Sequence, residues 1–126
     1  MHDKRIFLFG GIWNLFLVIP FFFGKHLLTE KLGIPNINYP IFVDLLIMCA
    51  FLTGLLNIWI AKSNTKEILA MKYATWAKFG YVLVFSHHLY LGTMPRPLLK
   101  IMIPVMIIEL FFAIGSQGVL WNSLRK

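Results

Sequence analysis

The sequence predicts an all-α protein, namely a membrane-spanning antiparallel four-helix bundle with both termini in the cytoplasm. The chain has 126 residues, of which 59% are hydrophobic and only 13% are charged, and its mean hydropathy is +0.75. A soluble domain carries about 25% charged residues, so lipid is the natural surrounding for this composition. The apolar residues form long runs separated by short polar segments, and basic residues flank these runs. We therefore expect one domain made of four spans, over residues 6–23, 41–61, 70–91 and 98–120.

The first predicted span, residues 6–23, follows the basic start of the chain. The apolar run exceeds the ~7–15 residues of a signal-peptide core, and no small-residue cleavage site follows it, so we expect a retained span. At about 1.5 Å per residue, such a run measures about 27 Å, which is enough for the hydrocarbon core of a bilayer.

The segment 24–40 is predicted to be a loop. Three leucines in it would share one face of a short interfacial helix, which Gly33 and Pro35 would end. These leucines are Leu27, Leu28 and Leu32.

The second predicted span, 41–61, carries few polar residues, whereas the third, 70–91, is the least apolar. Only residues 79–91 of the third span are free of lysine, which is too short to cross a bilayer. The helix must therefore begin earlier, and Lys72 and Lys78 would direct their amines toward the headgroups. The fourth span, 98–120, contains an internal proline, which membrane helices tolerate.

Charge sets the predicted orientation. Eight of the twelve Lys and Arg residues lie on the side of the chain termini, Lys66 and Lys126 among them. Because cytoplasmic loops carry an excess of Lys and Arg, we expect both termini in the cytoplasm. The net charge of +7 is spread between apolar runs, and this layout indicates contact with anionic lipid, with no nucleic-acid partner.

Four polar residues lie inside the cytoplasmic half of the predicted spans: Asn14, Asn57, Lys78 and Glu109. Polar groups in a membrane are costly and need partners. We expect a Lys78–Glu109 ion pair between the third and fourth spans, and a contact in which Asn14 and Asn57 hold the first two helices together. A polar pocket, a transport or proton path through Glu109, and a ligand counter-ion are the alternatives.

A second predicted cluster lies in the outer half and contains Asp44, His87 and His88. Adjacent histidines point about 100° apart on a helix, and His88 is the one expected to point inward. We interpret the cluster as a hydrogen bond between Asp44 and a histidine; metal ligation, a proton relay or haem binding by His88 with His26 are the alternatives.

The chain lacks the usual signatures of catalysis. It has one cysteine, Cys49, and no CxxC, HExxH, GxSxG or phosphate-binding loop. We therefore expect no enzyme activity, no cofactor and no metal centre.

Four short motifs carry a resemblance: Gly-Ile-Trp-Asn-Leu at 11–15 with Pro20 after it, Leu-Gly-Ile-Pro at 32–35, Gly-Leu-Leu-Asn at 54–57 and Ala-Lys-Phe-Gly at 77–80. In this order and spacing the chain resembles a group of small bacterial four-span membrane proteins of unknown function. The resemblance covers the first two thirds of the chain. It implies the fold, a bacterial origin and a multi-pass location in the bacterial inner membrane, with no activity to carry over.

Three functions fit these patterns. The first is a non-catalytic accessory or assembly subunit of a larger membrane complex, or a lipid-binding bundle. The second is an oligomeric transporter for a small solute or protons that uses Glu109 and Lys78. The third is a haem or metal redox protein that uses His88, Asp44 and His26.

Overall fold

The computed structural model describes residues 4–31, 33, 40–65, 67–94 and 96–125, and these residues form an all-α structure. Its four helices are α1 (Arg5–Lys31), α2 (Pro40–Lys62), α3 (Ile68–Leu91) and α4 (Arg96–Arg125). The prediction of an all-α chain with four helices is confirmed. Three helices, α1, α2 and α4, are long and apolar enough to cross a membrane. Helix α3 is not among the helices that are long and apolar enough to cross a membrane, and its 24 residues include two lysines and two histidines.

Helix α1 is longer than the sequence predicted. It continues through Pro20 and Gly24 to Lys31, so the predicted loop begins about two helical turns too early. Pro20 removes only one backbone donor, and the segment after it contains helix-forming Leu, Glu and Lys residues. Leu27 and Leu28 therefore belong to α1 and not to a separate interfacial helix. Leu32 and Pro35 lie outside the described residues.

The helices pack as two pairs. Helix α1 lies mainly along α2 and α3 lies mainly along α4, while contacts between the pairs, α2 with α3 and α1 with α4, are fewer. Within the described residues, α1 does not approach α3 closely through its backbone, and α2 does not approach α4. The four helices therefore surround a central space, with α1 diagonal to α3.

Two glycines allow the closest approach between α1 and α2. A Cβ atom on Gly11 would lie 2.6 Å from the carbonyl oxygen of Gly54, and a Cβ on Gly54 would lie 3.1 Å from Cβ of Asn14. Small residues at such positions let two helix backbones pack at short range, which drives association of membrane helices. The contact therefore depends on the absence of side chains at residues 11 and 54.

An apolar core joins all four helices near the chain termini. Phe7 of α1, Ile60 of α2, Met71 of α3 and Leu120 of α4 are nearly inaccessible and form one cluster. Lys4 Nζ donates hydrogen bonds to the backbone oxygen of Ser63 at 3.0 Å and of Thr65 at 2.7 Å. The start of α1 is therefore held against the connection between α2 and α3.

Burial divides the bundle into two halves. We call residues 5–18, 49–62, 68–81 and 109–125 the packed half, and residues 19–31, 40–48, 82–91 and 96–108 the open half. Among the described residues, every buried position except Lys25, Ile47 and Phe85 lies in the packed half. The structure is thus tightly assembled at the end that contains the apolar core and loosely assembled at the other end.

Candidate functional site

A polar cluster lies in the packed half, at the centre of the four helices. Lys78 Nζ of α3 donates a hydrogen bond to Oδ1 of Asn14 at 3.1 Å, and it lies 3.2 Å from Oε2 of Glu109, with which it forms an ion pair. The Phe112 ring centroid lies 5.5 Å from the same amine. The expected Lys78–Glu109 pair is therefore present, and Asn14 joins it. We call Asn14, Lys78, Glu109 and Phe112 the central cluster.

The length of the lysine side chain makes this cluster possible. Helices α1 and α3 are diagonal to each other, so a short side chain on α3 would not reach Asn14. The stem of Lys78 passes Gly10, where an added Cβ would lie 3.3 Å from Lys78 Cε. Lys78 thus crosses the central space beside a position that has no side chain, and it links α3 to both α1 and α4.

The central cluster satisfies its own charges. Lys78 is 1% exposed and Glu109 is 5% exposed, so neither charge is shared with bulk solvent. An ammonium has three donors, of which two point to oxygens, while the face of an aromatic ring attracts a cation. Removing one member would leave the other buried and unpaired, which costs more than the pair itself contributes. The arrangement therefore fixes how the α1–α2 pair sits against the α3–α4 pair.

The structure corrects the role predicted for the two asparagines. Asn14 accepts its hydrogen bond from Lys78. Asn57 is fully buried, yet neither its Nδ2 nor its Oδ1 has a hydrogen-bond partner within the described residues. The close approach of Gly11 and Gly54 brings the backbones of α1 and α2 into contact. This contact does not require a hydrogen bond between the two asparagine side chains.

The outer cluster is not assembled as predicted. Asp44 Oδ1 of α2 lies 2.9 Å from Lys25 Nζ of α1, so the partner of Asp44 is a lysine and not a histidine. The same amine lies 4.6 Å from the Phe22 ring centroid. The sequence did not identify Lys25 as the partner of Asp44, because it predicted a loop at residue 25. In the longer α1, Lys25 faces the start of α2.

Both adjacent histidines are exposed, including His88, which was expected to point inward. His88 Nδ1 lies 2.8 Å from Thr93 Oγ1, just past the end of α3. Gly92, with φ +67°, turns the chain back there, so the backbone places Thr93 beside His88. Within the described residues, no group of three His, Cys, Asp or Glu side chains is close enough to hold a metal ion. The structure therefore does not bring Asp44, His87 and His88 together.

An apolar groove between α1 and α4 is a feature that the sequence did not reveal. It has a volume of about 690 Å³ and opens on the outside of the bundle where α1 and α4 make few contacts. We call it the α1–α4 groove. Its lining consists of Ile6, Phe9, Ile12, Trp13, Phe16, Phe111, Phe112, Gly115 and Val119. Phe112 belongs to both sites, since it lines the groove and faces Lys78.

Comparison with known proteins adds no identification. No protein-family model, curated protein or solved structure matches this chain. The resemblance to small bacterial four-span proteins therefore stays a prediction.

Proposed function

We propose that this chain is an integral membrane protein with four antiparallel spans and cytoplasmic termini, and that it acts without catalysis by binding an anionic phospholipid in the α1–α4 groove. The groove is the observation that carries this proposal. It is lined by apolar and aromatic side chains, and Phe16 and Phe111 remain largely exposed beside it. A lipid acyl chain matches such a lining, because it makes the same dispersion contacts as the surrounding membrane.

Charge at one end of the groove favours an anionic headgroup. Ile6 lines the groove, and the next residue toward the chain start is the exposed Arg5. On α4, Val119 lines the groove, and the exposed Arg125 lies beyond it with its guanidinium carbon 5.5 Å from the Trp121 ring centroid. Guanidinium groups bind phosphate well, and basic residues near a membrane surface attract anionic lipid. An acyl chain in the groove would therefore place a phosphate near these two arginines.

The central cluster supports a binding role over a catalytic one. Its lysine and carboxylate are engaged with each other, and the apolar core with Phe7 and Leu120 lies between them and the end of the bundle that holds the chain termini. Charges that are engaged at the centre and an apolar groove that opens on the outside fit a bundle that holds a lipid or a neighbouring chain in the groove.

Photocrosslinking in native membranes tests the proposal. A benzoyl-phenylalanine at position 16 reports on the groove, and the same probe at position 83, also strongly exposed but on α3, reports on lipid around the bundle. We expect anionic phospholipid adducts enriched at position 16 over position 83. The Arg5→Gln/Arg125→Gln variant should remove this enrichment, and Arg96→Gln, at the start of α4, should keep it.

Other outcomes separate the alternatives. A protein adduct of fixed mass at position 16 would make the chain an accessory or assembly subunit whose partner occupies the groove. Equal lipid labelling at the two positions contradicts a groove-specific lipid.

A second candidate function, an oligomeric transporter for a small solute or protons, is favoured by one observation. A titratable carboxylate and amine meet at the contact of three helices and are buried there. Proteoliposomes with an imposed pH gradient test it, with Glu109→Gln as the matched variant. Absence of flux in the unaltered protein excludes this function, and flux that Glu109→Gln abolishes supports it.

A further inference from the structure

Three side chains beside the central cluster are buried without partners. Asn57 on α2 and Thr75 on α3 are 0% exposed, and Ser116 on α4 is 1% exposed. Their four polar side-chain atoms have no hydrogen-bond partner within the described residues. Removing such an atom from water and leaving it without a hydrogen bond destabilises the folded protein. Three such side chains near one level of a bundle indicate a bound hydrogen-bonding ligand.

Contacts with α1 place Asn57 of α2 and the stem of Lys78 of α3 at one level. A Cβ on Gly11 would lie 3.1 Å from Cβ of Asn57, and a Cβ on Gly10 would lie 3.3 Å from Cε of Lys78. Asn57 and the stem of Lys78 are therefore beside consecutive residues of α1. Thr75 precedes Lys78 by three residues, so the two share one face of α3.

Ser116 lies on the same side of α4 as Glu109. The two residues are seven apart, and Ala113 between them is also buried. Val119, three residues further along α4, belongs to the apolar core. The unpartnered groups thus occupy the layer between the central cluster and the apolar core.

We propose that Asn57, Thr75 and Ser116 form a binding site for internal water. A buried water typically makes about three hydrogen bonds, so the four polar atoms are enough to bind about one or two water molecules. This proposal is independent of the lipid and transport proposals, because it rests on different side chains.

The chemistry of the three side chains fits water better than an ion. An amide and two hydroxyls offer both donors and acceptors and carry no charge, which suits a neutral ligand that does both. Lys78 and Glu109 neutralise each other, so the nearby ion pair presents no net charge that would attract a cation or an anion. Water here would also make the surroundings of the ion pair more polar, which lowers the cost of burying it.

Radiolytic hydroxyl labelling of the protein in lipid nanodiscs tests this directly. Met71 is 0% exposed and precedes Thr75 by four residues on one face of α3, so an internal water would generate radicals beside its sulfur. We expect Met71 to be oxidised several-fold faster than Met48, which faces the outside of the bundle in the open half. Loss of this difference in Asn57→Leu/Thr75→Val/Ser116→Ala supports the assignment, and an unlabelled Met71 in the unaltered protein overturns it.

Thermal unfolding gives a second test through the sign of the change. If water is bound, Thr75→Val/Ser116→Ala removes its partners and should lower the unfolding midpoint by about 4 °C. If the layer is dry, the same substitutions remove unsatisfied polar groups and should leave the midpoint unchanged or raise it, which overturns the proposal. Ser123→Ala is the control, because Ser123 Oγ donates to its own helix at Val119 O.

Discussion

The packed half and the open half are built from the same four helices, yet they are assembled by different means. The packed half combines close backbone contact at Gly11 and Gly54 with a buried ion pair and an apolar core. The open half contains the pair between the buried Lys25 and the partly exposed Asp44, and many of its large apolar side chains point outward. Among these are Phe23, Leu46, Leu83 and Tyr90.

In the membrane that we propose as the location of this chain, the difference would reflect what organises a bundle in apolar surroundings. Outward-facing Phe and Leu contribute little to helix association in lipid, because lipid tails offer similar contacts. Small residues and satisfied polar groups decide where helices meet, and in the described residues these are concentrated in the packed half. We therefore expect substitutions to have effects that depend on the half in which they lie.

The largest expected effect is loss of one member of the ion pair. Glu109→Leu leaves Lys78 buried and unpaired and should lower the free energy of unfolding by about 3–5 kcal/mol. Titration with denaturing detergent in mixed micelles, followed by circular dichroism, measures this change.

The double variant Lys78→Met/Glu109→Leu is the control for that result. It removes both charges and should be more stable than Glu109→Leu alone, because no unpaired charge remains. Additive losses from the two substitutions would show that the pair does not couple the helices.

Glycine substitutions should change stability with opposite signs in the two halves of α1. In Gly11→Ala the new Cβ would lie 2.6 Å from Gly54 O, so α1 and α2 must separate, at a cost of about 1–3 kcal/mol. In Gly24→Ala nothing lies within 4 Å of the new Cβ, and the higher helix propensity of alanine should stabilise by up to about 1 kcal/mol.

The same detergent titration compares the two glycine variants. Equal losses for both would mean that the close α1–α2 approach does not determine packing.

The Lys25–Asp44 pair in the open half should contribute much less than the ion pair in the packed half. The side chain of Asp44 is 42% exposed, so the attraction is screened by solvent. Asp44→Asn should change the free energy of unfolding by less than about 1 kcal/mol, and the change should shrink as salt is added. A loss as large as that of Glu109→Leu would contradict the division into two halves.

The smallest expected effect is at the end of α3. His88 is exposed, and its contact with Thr93 lies at the surface, so His88→Ala should alter stability by no more than about 0.5 kcal/mol. His87→Ala, which keeps the Thr93 contact, is the matched variant. A clearly larger loss for His88→Ala would assign a structural role to that hydrogen bond.

Composition and spacing were sufficient to predict the four helices and the meeting of Lys78 with Glu109. The ion pair was predictable because a buried charge needs a partner and one basic residue was within reach. The participation of Asn14 was not, since it depends on Lys78 crossing a space beside Gly10, which is a property of the tertiary packing.

The outer cluster was predicted wrongly for a local reason. Placing the end of α1 near Phe23 left Lys25 in a loop and made a histidine the nearest partner for Asp44. Helix α1 instead continues to Lys31, so its last turns lie along the start of α2. The error in one helix end therefore changed the predicted partner of a charged residue about 20 residues away.

The position of Lys78 has a consequence for the order of synthesis. Helix α3 is made before α4, so a nascent chain that ends at Leu91 carries the lysine without Glu109. A lone lysine at the centre of a membrane helix opposes insertion by about 2.5–3.5 kcal/mol, whereas α4 is long and apolar enough to cross a membrane. If all four helices span a membrane, as we propose, the third helix would wait at the translocon until the fourth emerges, and the two would enter the bilayer together as a hairpin.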